Sequence, residues 1–216
     1  MSLKPIAIYG AGGFGKEVAC VIERINLVTP AWEIIGFFDD GVEKGRSVSR
    51  FGEVLGGKEA LNNWPSPLSV VFAIGTPKIL RVITSKLAND NLEFPNIIHP
   101  EAYFADPSSF KIGKGNIVVR GCSFSCDVTI GDFNQFNSIS ALAHDVSVGS
   151  YNVFMPLTRI SGEAQIGDIN FFGINAIVLQ GIRIGNRTRI GANSVVIRKT
   201  KDDNLYLGNP AKRTHL

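Results

Sequence analysis

A period of six residues runs through the second half of the chain, and it limits the possible folds more than any other feature. Between residues 112 and 196 every sixth residue is bulky and apolar, although only 44% of the chain is hydrophobic. The period of an α-helix and the alternation of an ordinary strand do not fit, whereas a hexapeptide β-helix does. The positions are Ile112, Val118, Phe124, Ile130, Phe136, Leu142, Val148, Phe154, Ile160, Ile166, Phe172, Val178, Ile184, Ile190 and Val196.

A second period of eighteen residues is superimposed on the first. It is marked by glycines that follow Ile or Val and by a polar residue three positions later. Three hexads per coil predict a triangular prism, in which each hexad forms a short strand and a corner. We expect the marking residues at corners, where left-handed backbone angles and side-chain hydrogen bonds are needed. They are Gly113, Gly131, Gly149, Gly167, Gly185, Asn116, Asn134, Asn152, Asn170 and Thr188.

The first hundred residues show a different pattern. Short apolar runs alternate with segments in which apolar residues recur at helical spacing. The runs at 6–9, 32–38 and 68–74 predict strands. Helical spacing follows Lys16 and follows Pro77, up to about residue 89. This alternation predicts a small parallel α/β sheet. We expect two domains, residues 1–100 and 101–216. Val18, Val21 and Ile22 share one face of the first predicted helix, and Ile79, Val82, Ile83 and Leu87 keep helical spacing in the second.

Composition excludes several classes of protein. The net charge is only +3 and no run of five basic residues occurs, so the chain lacks the electrostatic footprint of a nucleic-acid-binding protein. No window approaches the ~20 apolar residues of a membrane span, and the N-terminal apolar stretch is too short for a signal segment. We expect a cytoplasmic protein with reduced thiols at Cys20, Cys122 and Cys126, which form no CxxC pair.

A glycine-rich loop follows the first predicted strand. Gly10, Gly12 and Gly15 satisfy G-x-G-x-x-G between a strand and a helix, and Asp39 ends the second strand. Alone, this pattern favours binding of NAD. Fewer than 100 residues precede the prism, however, which is about half of a full dinucleotide-binding domain, and no domain for hydride transfer remains.

Four segments together carry a family resemblance over nearly the whole chain: IAIYGAGGFGKEV, GFFDD, NSISALAHDVSVG and LGNPAKR. With them, the sequence resembles the sialic acid O-acetyltransferase and UDP-4-amino-sugar N-acetyltransferase family. The resemblance implies a Rossmann-like α/β N-terminal domain that binds the acceptor nucleotide-sugar, followed by a left-handed parallel β-helix. It also implies a homotrimer with acetyl-CoA in the groove between prisms, and no metal.

Histidine is the side chain whose ordinary pKa of about 6.5 suits a general base. Of the three histidines, we expect His99 and His215 to be structural or inert. His144 stands where a hexad turns a corner, and from position alone it could be an exposed corner residue. Its match to the His-Asp/Glu motif of the family implies that His144 is the general base and that Asp145 orients it.

The resemblance also implies the binding residues. Gly162 follows His144 by one full coil, so it should lie directly above and leave room for the thioester. Its N–H could face the oxyanion. Candidates for the CoA groove are Ile174, Gly191 and Ala192, with Lys212 and Arg213 near the phosphates. Candidates for the nucleotide-sugar site are Gly12, Gly13, Phe14, Asp39 and Asp40, with Asn137 near the sugar. Phe14 and Val153 replace histidines that some family members carry.

The leading hypothesis is therefore N-acetylation of a nucleotide-linked amino sugar for surface-glycan synthesis. The alternatives are O-acetylation of a sugar such as sialic acid, a non-catalytic nucleotide-binding scaffold, or an NAD-sensing regulator built on the glycine loop. A γ-carbonic anhydrase is disfavoured because three histidines at these spacings cannot supply its zinc site. In a homotrimer we expect the outward residues Phe133, Tyr151 and Phe171 to pack between subunits.

Overall fold

The N-terminal part is a five-stranded parallel sheet with strand order β3-β2-β1-β4-β5, seen in a computed structural model that describes residues 3–214. Its apolar strands are buried as predicted, and the strand at Trp32–Phe38 has the predicted bounds. The short elements β3, α2 and β5 carry too few apolar residues to be found by periodicity. The elements are β1 (Lys4–Tyr9), α1 (Gly13–Val28), β2 (Trp32–Phe38), β3 (Val54–Gly56), α2 (Lys58–Asn62), β4 (Leu68–Phe72), α3 (Pro77–Thr84) and β5 (Leu92–Glu93).

The two main helices differ in how well the sequence describes them. In α1, Val18, Val21 and Ile22 are buried as predicted. In α3 the prediction holds only in part: the helix begins at Pro77 and Ile83 packs against the core, but the helix ends at Thr84 and buries Leu80, while Ile79 and Val82 are exposed. Such a short helix needs few core contacts, and its other side borders a cleft.

The second part is a left-handed parallel β-helix, as predicted. Its strands form three faces, each with a repeat of eighteen residues in register. The strands are β6 (Ile97–Ile98), β7 (Tyr103–Phe104), β8 (Lys111–Ile112), β9 (Ile117–Val118), β10 (Ser123–Phe124), β11 (Thr129–Ile130), β12 (Gln135–Phe136), β13 (Ala141–Leu142), β14 (Ser147–Val148), β15 (Val153–Phe154), β16 (Arg159–Ile160), β17 (Gln165–Ile166), β18 (Phe171–Phe172), β19 (Ile177–Val178), β20 (Arg183–Ile184), β21 (Arg189–Ile190), β22 (Val195–Val196), β23 (Leu205–Leu207) and β24 (Lys212–Thr214).

We number the faces by their first strands. Face 1 runs from β6 through β9, β12, β15, β18 and β21 to β23 and β24. Face 2 runs from β7 to β22, and face 3 runs from β8 to β20. We call the turns between them corner 1/2, corner 2/3 and corner 3/1. The first coil begins at Ile97, before the apolar hexad period is recognisable in the sequence.

The predicted inward residues form the core of the prism. From Val118 to Val196 all of them are buried, and Ile112 in the first coil is half-buried. Phe136, Phe154 and Phe172 stack on successive coils with ring centroids 4.6 and 4.7 Å apart. Identical spacing on every coil places like side chains above one another, so the hexad period becomes a continuous apolar column.

The corners are built differently from the prediction. Left-handed backbone angles occur once per hexad, but at residues such as Phe133, Ile139 and Asp145 rather than at the periodic Gly and Asn positions. The periodic glycines permit close stacking: a Cβ on Gly131 would lie 2.7 Å from the carbonyl oxygen of Gly149. The periodic asparagines do supply side-chain hydrogen bonds, from inside the prism. Asn134 Oδ1, for example, accepts the backbone N–H of Asn152 at 2.8 Å.

The N-terminal domain docks on face 1. Gln135 Nε2 donates to the carbonyl oxygens of Phe72 and Ile74 at 2.9 and 3.0 Å. Phe133 is buried against Phe72, and its ring stacks on Tyr151 with centroids 5.3 Å apart. The expectation that Phe133 and Tyr151 pack between subunits is therefore wrong, because the chain's own N-terminal domain covers them.

Candidate functional site

His144 and Asp145 lie together at corner 2/3 of the prism. His144 Nδ1 is 2.8 Å from Asp145 Oδ2, and both side chains are about half exposed. Asp145 occupies the left-handed position of the corner, with φ of 58°, and its N–H donates to the carbonyl of Cys126 on the coil below. The turn therefore fixes the carboxylate beside Nδ1. Within residues 3–214 no hydrogen bond engages Nε2.

Gly162 lies against the imidazole ring from the next coil. A Cβ built on it would be 2.6 Å from both Cε1 and Nε2 of His144, so any side chain at this position would collide with the ring. The N–H of Gly162 has no acceptor within residues 3–214, but neither has the N–H of Gln180 one coil above. The free N–H is thus a property of the corner, and the missing side chain is what distinguishes Gly162.

Most of the predicted CoA-binding residues lie at another edge of the prism, corner 1/2. Ile174, Gly191 and Ala192 line a mainly apolar groove of about 380 Å³. Asn137 lies at the same corner two coils below Ile174, where its Nδ2 donates to the carbonyl of Phe154 at 3.1 Å. Face 2 separates this groove from His144, so a single chain does not bring the two together. The other lining residues are Met155, Phe171, Gly173, Arg189, Ile190, Leu205 and Leu207.

The predicted phosphate contacts lie at the upper end of this groove. Lys212 pairs with Leu207 in the antiparallel hairpin of β23 and β24, and Leu207 is a groove residue. Lys212 and Arg213 are exposed and within residues 3–214 form no ion pair. His215 lies outside the described residues.

The glycine loop joins β1 to α1 at the carboxyl edge of the sheet. Gly15 packs so closely on the carbonyl of Gly10 that no Cβ would fit, whereas Gly12 and Gly13 border open space. Asp39 holds the loop, because its Oδ2 accepts the N–H of Ala11 at 2.9 Å while Oδ1 accepts that of Gly41. The loop thus presents the open N-terminus of a sixteen-residue helix, a geometry suited to phosphate.

Asp40 has structural partners that the sequence did not reveal. Its Oδ2 accepts the hydroxyl of Tyr9 at 2.7 Å, and its Oδ1 accepts the N–H of Lys58 at the start of α2. Burial opposes ionisation, but the Lys58 N–H and the Tyr9 hydroxyl lower the pKa of Asp40 overall. Burial and Asp40 raise the pKa of Tyr9, so the phenol stays protonated as a donor.

Phe14 and Val153, which replace histidines of some family members, are buried to different degrees. Phe14 is half-buried against the core between α1 and the sheet, and Val153 is fully buried where the N-terminal domain covers face 1. The expected structural histidine, His99, is also buried, and its Nδ1 accepts the N–H of Glu101 at 3.0 Å.

A larger cleft was not predicted. It has a volume of about 710 Å³ and lies between α3 and the fifth and sixth coils of the prism. Hexad spacing shows that Arg187 and Arg189 point outward, but it cannot show that a helix with Lys78 and Arg81 faces them. The lining residues are Gly75, Thr76, Pro77, Lys78, Arg81, Val82, Ser85, Ile169, Phe171, Arg187, Arg189 and Asp203.

Within residues 3–214 no group of three or more His, Cys, Asp or Glu side chains is arranged to hold a metal ion. None of the helices in that range has the length and apolar character needed to span a membrane.

Comparison with known proteins agrees with both halves of the chain. Residues 5–87 match the PglD N-terminal domain, and residues 163–198 match the bacterial transferase hexapeptide (six repeats). A comparison with curated protein sequences finds no match.

Solved structures match over nearly the full length. The acetyltransferase domain of PglB from Neisseria gonorrhoeae FA1090 is 29% identical with a TM-score of 0.88, covering 98% of this chain and 100% of that one. The same domain in complex with acetyl coenzyme A is 28% identical with a TM-score of 0.86, and the match covers 99% of this chain and 100% of that one. A histidine-to-asparagine mutant of perosamine N-acetyltransferase from Caulobacter crescentus, in complex with CoA and GDP-perosamine, is 28% identical with a TM-score of 0.86. The match covers 99% of this chain and 98% of that one.

The fold, the two matched models and the full-length structural matches define a class, the hexapeptide-repeat acyltransferases with a PglD-type N-terminal domain. Within that class the chain fits the sugar N-acetyltransferase family, as its sequence motifs predicted.

Proposed function

We propose that this protein is an acetyl-CoA-dependent N-acetyltransferase that acts on an amino sugar linked to a nucleotide, with a role in surface-glycan synthesis. The observation that carries the proposal is the His144–Asp145 pair packed on Gly162, on a prism whose attached domain presents a glycine loop. The PglB domain was solved with acetyl coenzyme A and the perosamine enzyme with CoA and GDP-perosamine, both over the full length of this chain.

The geometry of His144 fits the role of general base. A proton on Nδ1 donated to Asp145 leaves the lone pair of Nε2 directed away from the carboxylate. In the proposed reaction the amine nitrogen of the sugar attacks the thioester carbonyl, and Nε2 takes the proton that the amine loses. The C–S bond then breaks, and the imidazolium returns the proton to the departing thiolate.

The N-terminal domain is the proposed acceptor site. Gly12 and Gly13 border open space at the start of α1, where backbone N–H groups can meet a diphosphate. Asp39 has oxygens at the edge of this space, and lone pairs beyond those used by Ala11 and Gly41 can accept a ribose hydroxyl. Asn137 and Phe14 are proposed to contact the sugar end of the acceptor.

A homotrimer is part of the proposal, because one chain holds the base and the donor groove at different corners. Corner 2/3 of one prism placed against corner 1/2 of the next would unite His144 with Ile174, Gly191 and Ala192. Corner 1/2 also carries exposed apolar side chains, with Ile139 at 50% and Ile174 at 47% exposure. Covering them between subunits would remove apolar surface from water.

Incubation with acetyl-CoA and a panel of acceptors tests the proposal. The panel holds UDP-, GDP- and dTDP-linked amino sugars together with free sialic acid, and release of CoA is followed. We expect release with at least one nucleotide-linked amino sugar. Release with sialic acid alone would assign O-acetylation instead, and no release with any acceptor would favour the scaffold. Acetyl-CoA and nucleotide-sugars are cytosolic metabolites, so the cytoplasm is the proposed compartment.

A further inference from the structure

Two side chains from higher coils meet above the proposed base. Gln180 Nε2 donates to Glu163 Oε1 at 2.9 Å, and both residues are exposed at corner 2/3. Gln180 lies one coil above Gly162 and two coils above His144, because the coils pair in a register of eighteen residues. Glu163 follows Gly162 in the chain and stands one coil above Asp145. The pair therefore continues the two columns of side chains to which the base and its carboxylate belong.

The missing side chain of Gly162 leaves room for the imidazole directly beneath Gln180. A Cβ on Gly162 would lie 2.6 Å from Nε2 of His144, so the ring fills that position in the column. The side chain of Gln180 begins one coil higher, about 4.8 Å away along the prism. Its amide group is drawn down from there by the hydrogen bond to Glu163, which belongs to the coil of Gly162. The amide is thus brought close to the edge of the ring that carries Nε2.

The bond to Glu163 also fixes which way the amide points. A carboxylate accepts hydrogen bonds and donates none, so the NH₂ end of the amide must face it. The carbonyl oxygen Oε1 of Gln180 is left as a free acceptor, since no hydrogen bond to it occurs in the described part of the chain. A hydrogen-bond acceptor that does not titrate therefore stands beside the proposed base.

Such an acceptor distinguishes an amine from a hydroxyl. When a sugar amine attacks the thioester, it loses one proton to Nε2 of His144 and keeps one N–H, which becomes the N–H of the acetamide product. The retained N–H can donate to Oε1 of Gln180. A hydroxyl has a single O–H, which the base removes, so the attacking oxygen would face Oε1 with lone pairs only. A site whose acceptor is left unpaired in this way loses affinity and rate.

We propose that Gln180 is a specificity-determining residue, which accepts the N–H that the acceptor amine keeps and so selects amines over hydroxyls. Glu163 is the positioning residue that orients its amide. The proposal rests on the proposed function and adds to it a reason for N-acetylation rather than O-acetylation. The roles at corner 2/3 are then divided: His144 and Asp145 move the proton, whereas Gln180 and Glu163 recognise the N–H that remains.

Binding of two acetylated sugars, measured by calorimetry, tests the proposal. One is the N-acetylated product of the amino sugar that gives the fastest release of CoA in the panel of acceptors. The other is the same nucleotide-sugar with an O-acetyl ester in place of the acetamide, which has nearly the same shape but no N–H. Gln180→Met removes the acceptor oxygen and keeps an unbranched side chain of similar length. Gln165→Met is the matched control, because Gln165 is an exposed outward residue of face 3 whose side chain makes no hydrogen bond within residues 3–214.

We expect the native protein to prefer the acetamide to the ester roughly threefold to tenfold, the usual contribution of one hydrogen bond, and Gln180→Met to lose that preference. In turnover the same variant should lose a similar factor in kcat/KM for the amino sugar, while acetyl-CoA binding and the melting temperature stay native. Glu163→Leu should give the same selective loss, because the amide is released. Glu163→Gln should restore most of it, since its carbonyl oxygen still accepts the N–H of Nε2. Gln165→Met should behave as the native protein does.

Two results would overturn this proposal alone. In one, Gln180→Met keeps the native preference for the acetamide. In the other, it weakens binding of the acetamide and the ester equally, which would indicate a general change at corner 2/3. In both cases the native protein still acetylates the amino sugar. A native protein that releases no CoA with any amino sugar of the panel would refute the proposed function as well, so the two failures are distinguishable.

Discussion

At the scale of single residues, the candidate site depends on one glycine and one left-handed turn. Asp145 reaches Nδ1 of His144 because the corner holds it at φ of 58°, and the ring fits because position 162 has no side chain. Neither the glycine nor the turn is needed to pack the prism core, because the core side chains point inward, away from this corner. Changes here should therefore alter the chemistry more than the stability.

Replacement of the proposed base is the most direct test. His144→Ala should lower kcat by about 10²–10⁴-fold, the usual contribution of a general base, while acetyl-CoA binding and folding are retained. Asp145→Asn should cost less, because asparagine tolerates the left-handed angle and its Oδ1 can still accept a hydrogen bond from Nδ1–H, but without the charge. Steady-state kinetics measures both, with circular dichroism as the control for folding. Near-native turnover of His144→Ala would place the base elsewhere.

The glycine above the ring gives a second prediction. In Gly162→Ala the new methyl group would meet Cε1 and Nε2 of His144 at 2.6 Å, so the ring must swing away from its place beside Asp145. Since the ring is half exposed, it can move into solvent at little cost in stability. We expect a large fall in kcat with a melting temperature close to native. A variant with normal turnover would show that the observed ring position is not the active one.

His99 supplies a prediction for pH. Burial lowers the pKa of His99, so the folded protein resists a proton that the unfolded chain accepts. The free energy of unfolding should therefore be complete above about pH 6.5 and decline as the pH falls below that value. His99→Asn keeps an acceptor for the N–H of Glu101 without titrating. Urea unfolding between about pH 5 and 8 should show a flatter profile for the variant, and identical profiles would contradict the prediction.

At the scale of elements, corner 3/1 is held by a ladder of buried asparagines. Asn152 illustrates the pattern, because its Nδ2 donates to Asn134 Oδ1 at 2.9 Å and its Oδ1 accepts the N–H of Asn170 at 2.9 Å. Each rung satisfies a backbone group that would otherwise be buried without a partner. The ladder therefore joins consecutive coils by side chains as well as by strand pairing.

Breaking one rung should destabilise the prism. Asn152→Ala leaves the buried N–H of Asn170 without its acceptor, which should cost about 1–3 kcal/mol of unfolding free energy. Asn91→Ala is the matched control, since Asn91 is exposed and its side chain makes no hydrogen bond within residues 3–214. Chemical denaturation measures both variants. Equal midpoints for the two would mean that the ladder contributes nothing beyond strand pairing.

Over the molecule as a whole, the candidate residues are divided between two corners of the prism. His144 lies at corner 2/3, whereas the donor groove and Asn137 lie at corner 1/2. The N-terminal domain covers face 1 and leaves corner 1/2 with exposed apolar residues. If both sets of residues serve the proposed reaction, a complete site requires a second copy of the chain.

Assemblies refolded from two different variants test whether the site is shared between subunits. His144→Ala removes the base, and Ala192→Trp should fill the groove, so each variant alone should be nearly inactive. When the two are unfolded and refolded together, some interfaces should pair an intact His144 with an intact groove, and a fraction of native activity should return. Light scattering should show trimers in every sample. A monomer, or mixed assemblies without activity, would refute the shared site.

The two periods of the sequence are enough to predict which residues of the prism point inward. The hexad period places one bulky side chain per strand in the core, and the repeat of eighteen fixes the register between coils. These are local regularities, so they can be read without knowing what packs outside. The strand at Trp32–Phe38 and the buried face of α1 were predictable for the same reason. The start of α3 at Pro77 was predicted as well, but its end at Thr84 and its buried residue Leu80 were not, because so few of its residues reach the core.

The contacts of the outward residues depend on how the two domains dock. The hexad period is identical on all three faces, so it cannot show that Phe133 and Tyr151 meet the N-terminal domain while Ile139 and Ile174 remain exposed. It cannot bring Arg81 opposite Arg189 either, since these residues lie on different domains and far apart in the chain. Contacts of this kind depend on where a separate domain docks, and no local pattern encodes that.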